Sequence, residues 1–236
     1  MIYNLTAVIL LFLNFSSSTN NTIKPTVLAS NTVAKSKMLL EAEYVFNHLN
    51  ANQLSLPDFD TFTHAISGFY ELKESGLIQK NILTLVDFSL SSNSKRLWVI
   101  DLDTNTVLYN SLVAHGRNSG DEFANSFSNS GDSFKSSLGF YATGEIYIGK
   151  HGNSLRLDGL EKGLNDKARS RGVVMHGADY VAENFIKNNQ RLGRSLGCPA
   201  LPIELTDEII NLIKNKSCLY IYHPSLVHAI NPKLIS

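Results

Sequence analysis

Asn81-Ile82-Leu83-Thr84-Leu85-Val86-Asp87-Phe88, Arg96-Leu97-Trp98-Val99-Ile100-Asp101-Leu102 and Thr106-Val107-Leu108-Tyr109-Asn110-Ser111-Leu112-Val113-Ala114 follow one another along the chain. Their joints are Ser91-Ser92-Asn93-Ser94 and Asp103-Thr104-Asn105. β-branched and aromatic side chains fit a pleated surface, and Asn, Asp and Ser bond their own backbone in tight turns. Short apolar runs with such joints predict an antiparallel meander. Further strands are expected at Gly139–Gly144, Ile146–Gly149, Gly172–Met175 and Cys218–Tyr222, with short helices at Asp179–Lys187 and Leu205–Lys214. The fold class read from this pattern is mostly β with short helices.

Upstream the period changes. Ala34, Met38, Ala42, Val45, Phe46 and Leu49 recur at helical steps. A second helix is expected from Asp58 to Ser75, opened by Pro57-Asp58, lined by Phe59, Phe62, Ile66, Phe69 and Tyr70, and closed by Gly76. Residues 33–78 therefore read as an N-terminal helical pair. Before them, Leu5–Phe15 is apolar but too short to span a bilayer, and Ser16-Ser17-Ser18 offers small residues for cleavage. Residues 1–18 are expected to be a signal peptide, although no Lys or Arg precedes the apolar run; an uncleaved anchor is the alternative. Residues 19–32, rich in Asn, Thr and Ser, read as a flexible leader, and 224–236 as a C-terminal tail.

The 236 residues are 43% hydrophobic, enough for a substantial core, and 21 basic residues balance 21 acidic ones. That balance argues against nucleic acid or an anionic membrane surface as partner. Between Ala114 and Gly139 runs a Ser-, Asn- and Gly-rich stretch long enough to be functional or disordered.

Chemistry concentrates at Arg194-Ser195-Leu196-Gly197-Cys198-Pro199. A thiol between Gly and Pro belongs on a tight turn. The Gly197 and Cys198 N–H groups there are candidates for an oxyanion hole, and Ser195 holds the turn or bonds a substrate. Twenty-two residues upstream, His176 ends the apolar run Val173-Val174-Met175 and is the favoured base. His115 and His151 also adjoin glycines and remain candidate partners. An adjacent imidazolium would lower the thiol pKa. Cys218, in an apolar run, reads as a buried structural thiol; a Cys198–Cys218 disulfide is the alternative. No metal-ligand spacing occurs, so no metal and no cofactor is expected, the remaining possibility being a three-histidine zinc site from His115, His151 and His176.

Five motifs in order carry a resemblance: His115-Gly116-Arg117-Asn118-Ser119-Gly120, Ser136-Ser137-Leu138-Gly139-Phe140-Tyr141, Gly149-Lys150-His151-Gly152, Val174-Met175-His176-Gly177-Ala178, and Gly193 through Pro202. They are similar to the YkuD-type L,D-transpeptidases of bacterial peptidoglycan, in the murein L,D-transpeptidase catalytic domain branch. The resemblance covers residues 80–223 and implies a β-sandwich-like catalytic domain with the cysteine at the edge of a groove. It implies Cys198 as nucleophile and His176 as base and then acid, with a backbone carbonyl orienting the imidazole. The implied partner is a peptidoglycan stem tetrapeptide, which loses D-alanine to form a thioester and is then cross-linked to a second stem. Export to the periplasm or cell envelope is expected from the N-terminal apolar run and its small residues. Arg194 is a candidate clamp for a stem carboxylate or a solvated turn arginine; His115, His151 and Gly177 are candidate groove residues. Leu196 stands where many relatives carry histidine, and Pro199-Ala200 depart from the usual residues after the nucleophile. Hydrolytic L,D-carboxypeptidase activity and a silent wall-binding role stay open, and the oligomeric state is undetermined.

Overall fold

The computed structural model describes residues 38–226. The expected signal peptide, the leader and the tail beyond 226 lie outside them. The described chain builds one eight-stranded mixed sheet with four helices: α1 (38–47), α2 (Phe59–Glu74), β1 (Ile82–Asp87), β2 (Leu97–Asp101), β3 (Thr106–Ser111), β4 (Gly139–Gly149), β5 (Gly152–Gly159), β6 (Val174–Gly177), α3 (Glu183–Asn189), β7 (Ala200–Leu201), α4 (Ile203–Ile213) and β8 (Cys218–Tyr222). The strand order is β3-β2-β1-β8-β4-β5-β6-β7. The mostly β fold is thus the observed one.

The meander expectation holds for β1, β2 and β3, which pair antiparallel in sequence order. It does not extend to the whole sheet. β8 inserts at the centre, parallel to β1 and antiparallel to β4, with all five residues buried. The last strand thereby joins the 82–111 half to the 139–201 half. Gly139–Gly149 is one strand rather than two, with a register irregularity between Thr143 and Ile146 that bends it without ending it. β5 was not foreseen. Its buried apolar side chains are Leu155 and Leu157 alone, set among the polar positions Asn153, Ser154, Arg156 and Asp158, of which Ser154 is buried as well.

Beyond β3 the chain crosses to the far edge of the sheet. Ala114 and Ala200 exchange N–H···O bonds of 2.9 and 3.3 Å. Ser195 N–H donates to His115 O at 3.0 Å, and Arg117 N–H to Ser195 O at 2.8 Å. This stretch ties the two outer strands together and lays the 114–138 segment over the end of β7. That segment has no strand of its own, yet side chains such as Ser119, Ser136 and Asn118 hold its backbone.

α2 starts where its cap predicts: Asp58 Oδ1 accepts from Thr61 N–H at 3.1 Å. Phe62, Ile66, Phe69 and Leu72 enter the same core as the strands, each burial contributing about 2 kcal/mol. Gly68 is needed inside this helix, because a Cβ there would lie 2.1 Å from the Phe140 ring. α1 adds Ala42 and Val45 to that core. α3 begins four residues later than expected, after a turn in which Val181 N–H bonds Ala178 O at 3.1 Å. α4 begins at Ile203, directly after Pro202, whose fixed φ suits a helix start.

Both cysteines are free. The disulfide alternative is not realised, since Cys218 is enclosed at the sheet centre, where burial drives its thiol pKa strongly upward.

Candidate active site

β6 and β7 are parallel neighbours, with His176 in register with Ala200. Parallel neighbours need a crossover, here carrying α3, and this accounts for the 22-residue spacing between His176 and Cys198. Cys198 lies on the bend just before β7, separated from the strand by Pro199. Val174 N–H lies 3.4 Å from Cys198 Sγ, and Sγ lies 3.8 Å from Gly172 O. Among the described residues, Sγ makes no hydrogen bond to an imidazole. Both groups instead line one cavity of about 500 Å³, together with His151, Arg171, Tyr180 and Leu196.

His176 is buried (4% exposed) and its Nδ1 lies 2.9 Å from Gly177 O. A carbonyl oxygen only accepts, so the proton sits on Nδ1 and Nε2 keeps its lone pair. The orienting carbonyl that the resemblance implies is therefore available from Gly177, which acts through its backbone. Burial holds His176 below the ordinary histidine pKa; the Gly177 bond opposes this, and His151 adds to it. His151 stacks on His176 with ring centroids 4.5 Å apart. It sits in the two-residue turn Lys150-His151 of the β4–β5 hairpin, closed by the Gly149–Gly152 pair.

Burial pushes the Cys198 thiol upward, against the Val174 N–H and the Arg171 charge. The expectation of a thiol lowered by an imidazolium is not met: the resting pair is a neutral thiol and a neutral imidazole. Proton transfer would have to accompany attack rather than precede it.

The turn itself is built around Gly197, at φ +124°. A Cβ there would lie 2.8 Å from Lys135 O. Ser195 Oγ accepts from Gly197 N–H at 3.0 Å and donates to Cys198 O at 2.6 Å. This corrects one sequence expectation: the Gly197 N–H is taken by Ser195 and is no free oxyanion donor. Cys198 N–H has no hydrogen-bond acceptor among the described residues and remains available. Ser195 is the residue that holds the turn.

The other candidates divide. Arg194 lines the cavity, but its guanidinium is paired with Asp121 and donates to Gly120 O at 3.1 Å. His115 does not reach the cavity. It is 1% exposed, with Nδ1 2.8 Å from Arg96 Nη2 and Nε2 3.3 Å from Gly120 O. Burial and the Arg96 charge pull its pKa down to about 4. With His115 so placed, the three-histidine zinc arrangement does not form; among the described residues no group of three metal-ligating side chains converges. Arg171 and Tyr180 are cavity residues that the sequence reading missed. Burial, then Cys198 and Asp179, push Tyr180 up to about 12. The available signal for Arg171 was its position before Gly172 and the strand leading to His176.

A family model described as L,D-transpeptidase catalytic domain matches residues 53–222, taking in α2 as well as every strand. No curated protein sequence matches the chain. Among solved structures, an L,D-transpeptidase from Mycobacterium smegmatis is similar at 12% identity and TM-score 0.38, covering 61% of this chain and 59% of that one. A mutant L,D-transpeptidase from Enterococcus faecium is similar at 11% identity and TM-score 0.38, covering 61% and 50%. The helical cell shape determining protein Pgp2 of Campylobacter jejuni is similar at 14% identity and TM-score 0.41, covering 66% and 53%. The chain thus spans between half and three fifths of the length of these structures.

Proposed function

Because this chain belongs to the L,D-transpeptidase catalytic domain family, we propose that it is a cysteine acyltransferase acting on peptidoglycan stem peptides. Cys198 Sγ attacks the carbonyl carbon of the third stem residue as its proton passes to His176 Nε2. Cys198 N–H meets the developing oxyanion. The C–N bond to the terminal D-alanine then breaks, and the imidazolium returns the proton to the departing amine. The thioester is resolved by an amine of a second stem, which gives its proton to His176 and releases the thiol. The observation that carries this reading is a partly exposed thiol on a glycine turn, in one cavity with an imidazole whose Nε2 lone pair is free.

Asp121 offsets Arg194, and the remaining charged lining, Arg171 and Lys150 against Asp132, leaves a net positive field that suits a substrate bearing carboxylates. A stem substrate also suits the expected export to the periplasm or cell envelope. Among the described residues, no helix is long and apolar enough to cross a membrane. The test is incubation of the purified protein with tetrapeptide muropeptides. Cross-linked dimers are expected. Tripeptide as the sole product would make the protein an L,D-carboxypeptidase. No product, with wall binding unchanged in C198A, would leave a silent wall-binding protein.

A further inference from the structure

Arg171 stands at the end of the turn that leads into β6, and the 128–137 segment encloses its guanidinium. Nη1 donates to Ser128 O at 2.8 Å and Ser137 Oγ at 3.3 Å. Nη2 donates to Lys135 O at 2.7 Å and Ser133 Oγ at 3.3 Å. The same Lys135 carbonyl packs against Gly197, and Nη2 lies 3.6 Å from the point a Gly197 Cβ would occupy. Sγ itself rests on Gly172 and Val174, one and three positions after Arg171.

No carboxylate answers this cation: the ion pairs among the described residues belong to Arg156, Arg169 and Arg194. A part-buried charge without an acidic partner is costly and calls for a partner of opposite charge. Protein acceptors already take four of its N–H bonds, so the fork is not free to swing onto a substrate carboxylate. What remains is the sulfur on the adjoining turn.

Resting on the acyltransferase reading of Cys198, we propose that Arg171 is a positioning residue that fixes the Gly197–Cys198 turn through Lys135 and supplies the positive charge met by the developing thiolate. In that step the S–H bond breaks as the S–C bond forms: the proton goes to His176 Nε2, a sulfur electron pair goes to the carbonyl carbon, and the carbonyl π pair goes to its oxygen. The Arg171 charge then stands beside the partial negative charge that builds on sulfur only while the proton is leaving. Burial raises the resting thiol, and Arg171 opposes that rise. The other ionisable groups around the pair are His176 and His151 on the imidazole side, Asp132, Lys150, Tyr147 and the Asp121-paired Arg194 in the cavity wall, and Tyr180 and Tyr141. Burial raises both Tyr180 and Tyr141 above the ordinary tyrosine value.

The experiment is the rate of Cys198 alkylation by iodoacetamide from about pH 6 to 10, with the adduct mapped by mass, in wild type, R171Q, R171M and R171K. Deleting the charge in R171Q or R171M is expected to raise the titration midpoint by about one unit and slow alkylation at neutral pH about tenfold. R171K keeps the charge, and its midpoint should stay near that of wild type. A folded R171Q or R171M with an unmoved midpoint overturns the proposal. So does an R171K midpoint raised by a full unit, an arm that stands even where the neutral variants do not fold. Failure of the acyltransferase reading is separate: it would appear as wild-type protein that titrates as expected yet makes no product from muropeptides.

Discussion

His115 and His176 have the same local sequence: each closes an apolar run and each is followed by glycine. The structure gives them opposite tautomers. His115 Nδ1 faces a guanidinium, which only donates, so Nδ1 must accept and the proton sits on Nε2, toward Gly120 O. Both nitrogens are engaged and no basic lone pair is left. His176 Nδ1 faces a carbonyl, which only accepts, so the proton sits there and Nε2 keeps a basic lone pair. One partner atom, Arg96 Nη2 or Gly177 O, separates a structural histidine from a candidate catalytic one.

The largest test of this contrast is turnover. H176A should lose a factor of about 10²–10⁴ in kcat, the usual worth of general acid–base catalysis, while folded H115Q stays within a few-fold of wild type. Equal losses in both variants would erase the distinction.

Next comes stability, where the order reverses. Arg96 is fully buried and bonds Val113 O, Leu90 O and His115 Nδ1. R96M leaves those acceptors unpaired and should cost about 3–5 kcal/mol. By calorimetry that is a Tm loss of about 6–20 °C. A Tm unchanged within a degree would remove Arg96 from the account.

A pH series sharpens the same point. The folded pKa of His115 is depressed to about 4, so the unfolded chain binds the extra proton first. Stability should therefore hold above the unfolded histidine value, fall as pH drops from about 6.5 to about 4, and level off below. The His115 share is about 3 kcal/mol, read by denaturant unfolding at each pH, and H115Q should flatten that slope. The same slope in both proteins would assign the acid sensitivity elsewhere.

The smallest effect belongs to His151. Its positive form and its ring cover both hold the His176 pKa down, so H151A should raise the acid limb of kcat/KM by a fraction of a pH unit and lower the rate a few-fold. An acid limb that moves down would contradict the stacking role.

How legible these features were in the sequence follows from how local their causes are. β1 to β3 could be read because the short apolar runs and their Asn, Asp and Ser joints lie inside each hairpin. The start of α2 could be read from Asp58, whose capping partner is three residues away. The cysteine turn announced itself because Gly197 must take a positive φ and Pro199 bars a longer strand. The central place of β8 was hidden, since it depends on pairing Leu83 with Cys218 across the length of the domain. β5 was hidden because Asn153, Ser154, Arg156 and Asp158 dilute its two buried leucines. The fate of His115 turned on Arg96, nineteen residues upstream on the approach to β2, and no local pattern carries that contact. The Gly197 N–H looked free until Ser195 Oγ was found folded back onto it.

The central claim is that residue 198 becomes acylated with help from residue 176. Peptide mass mapping after incubation with a carbapenem tests it most directly. We expect one acyl adduct on the peptide containing Cys198 in wild type, none in C198A, and formation slowed by at least about 10²-fold in H176A. An adduct on Cys218, no adduct at all, or equal rates in wild type and H176A would contradict it.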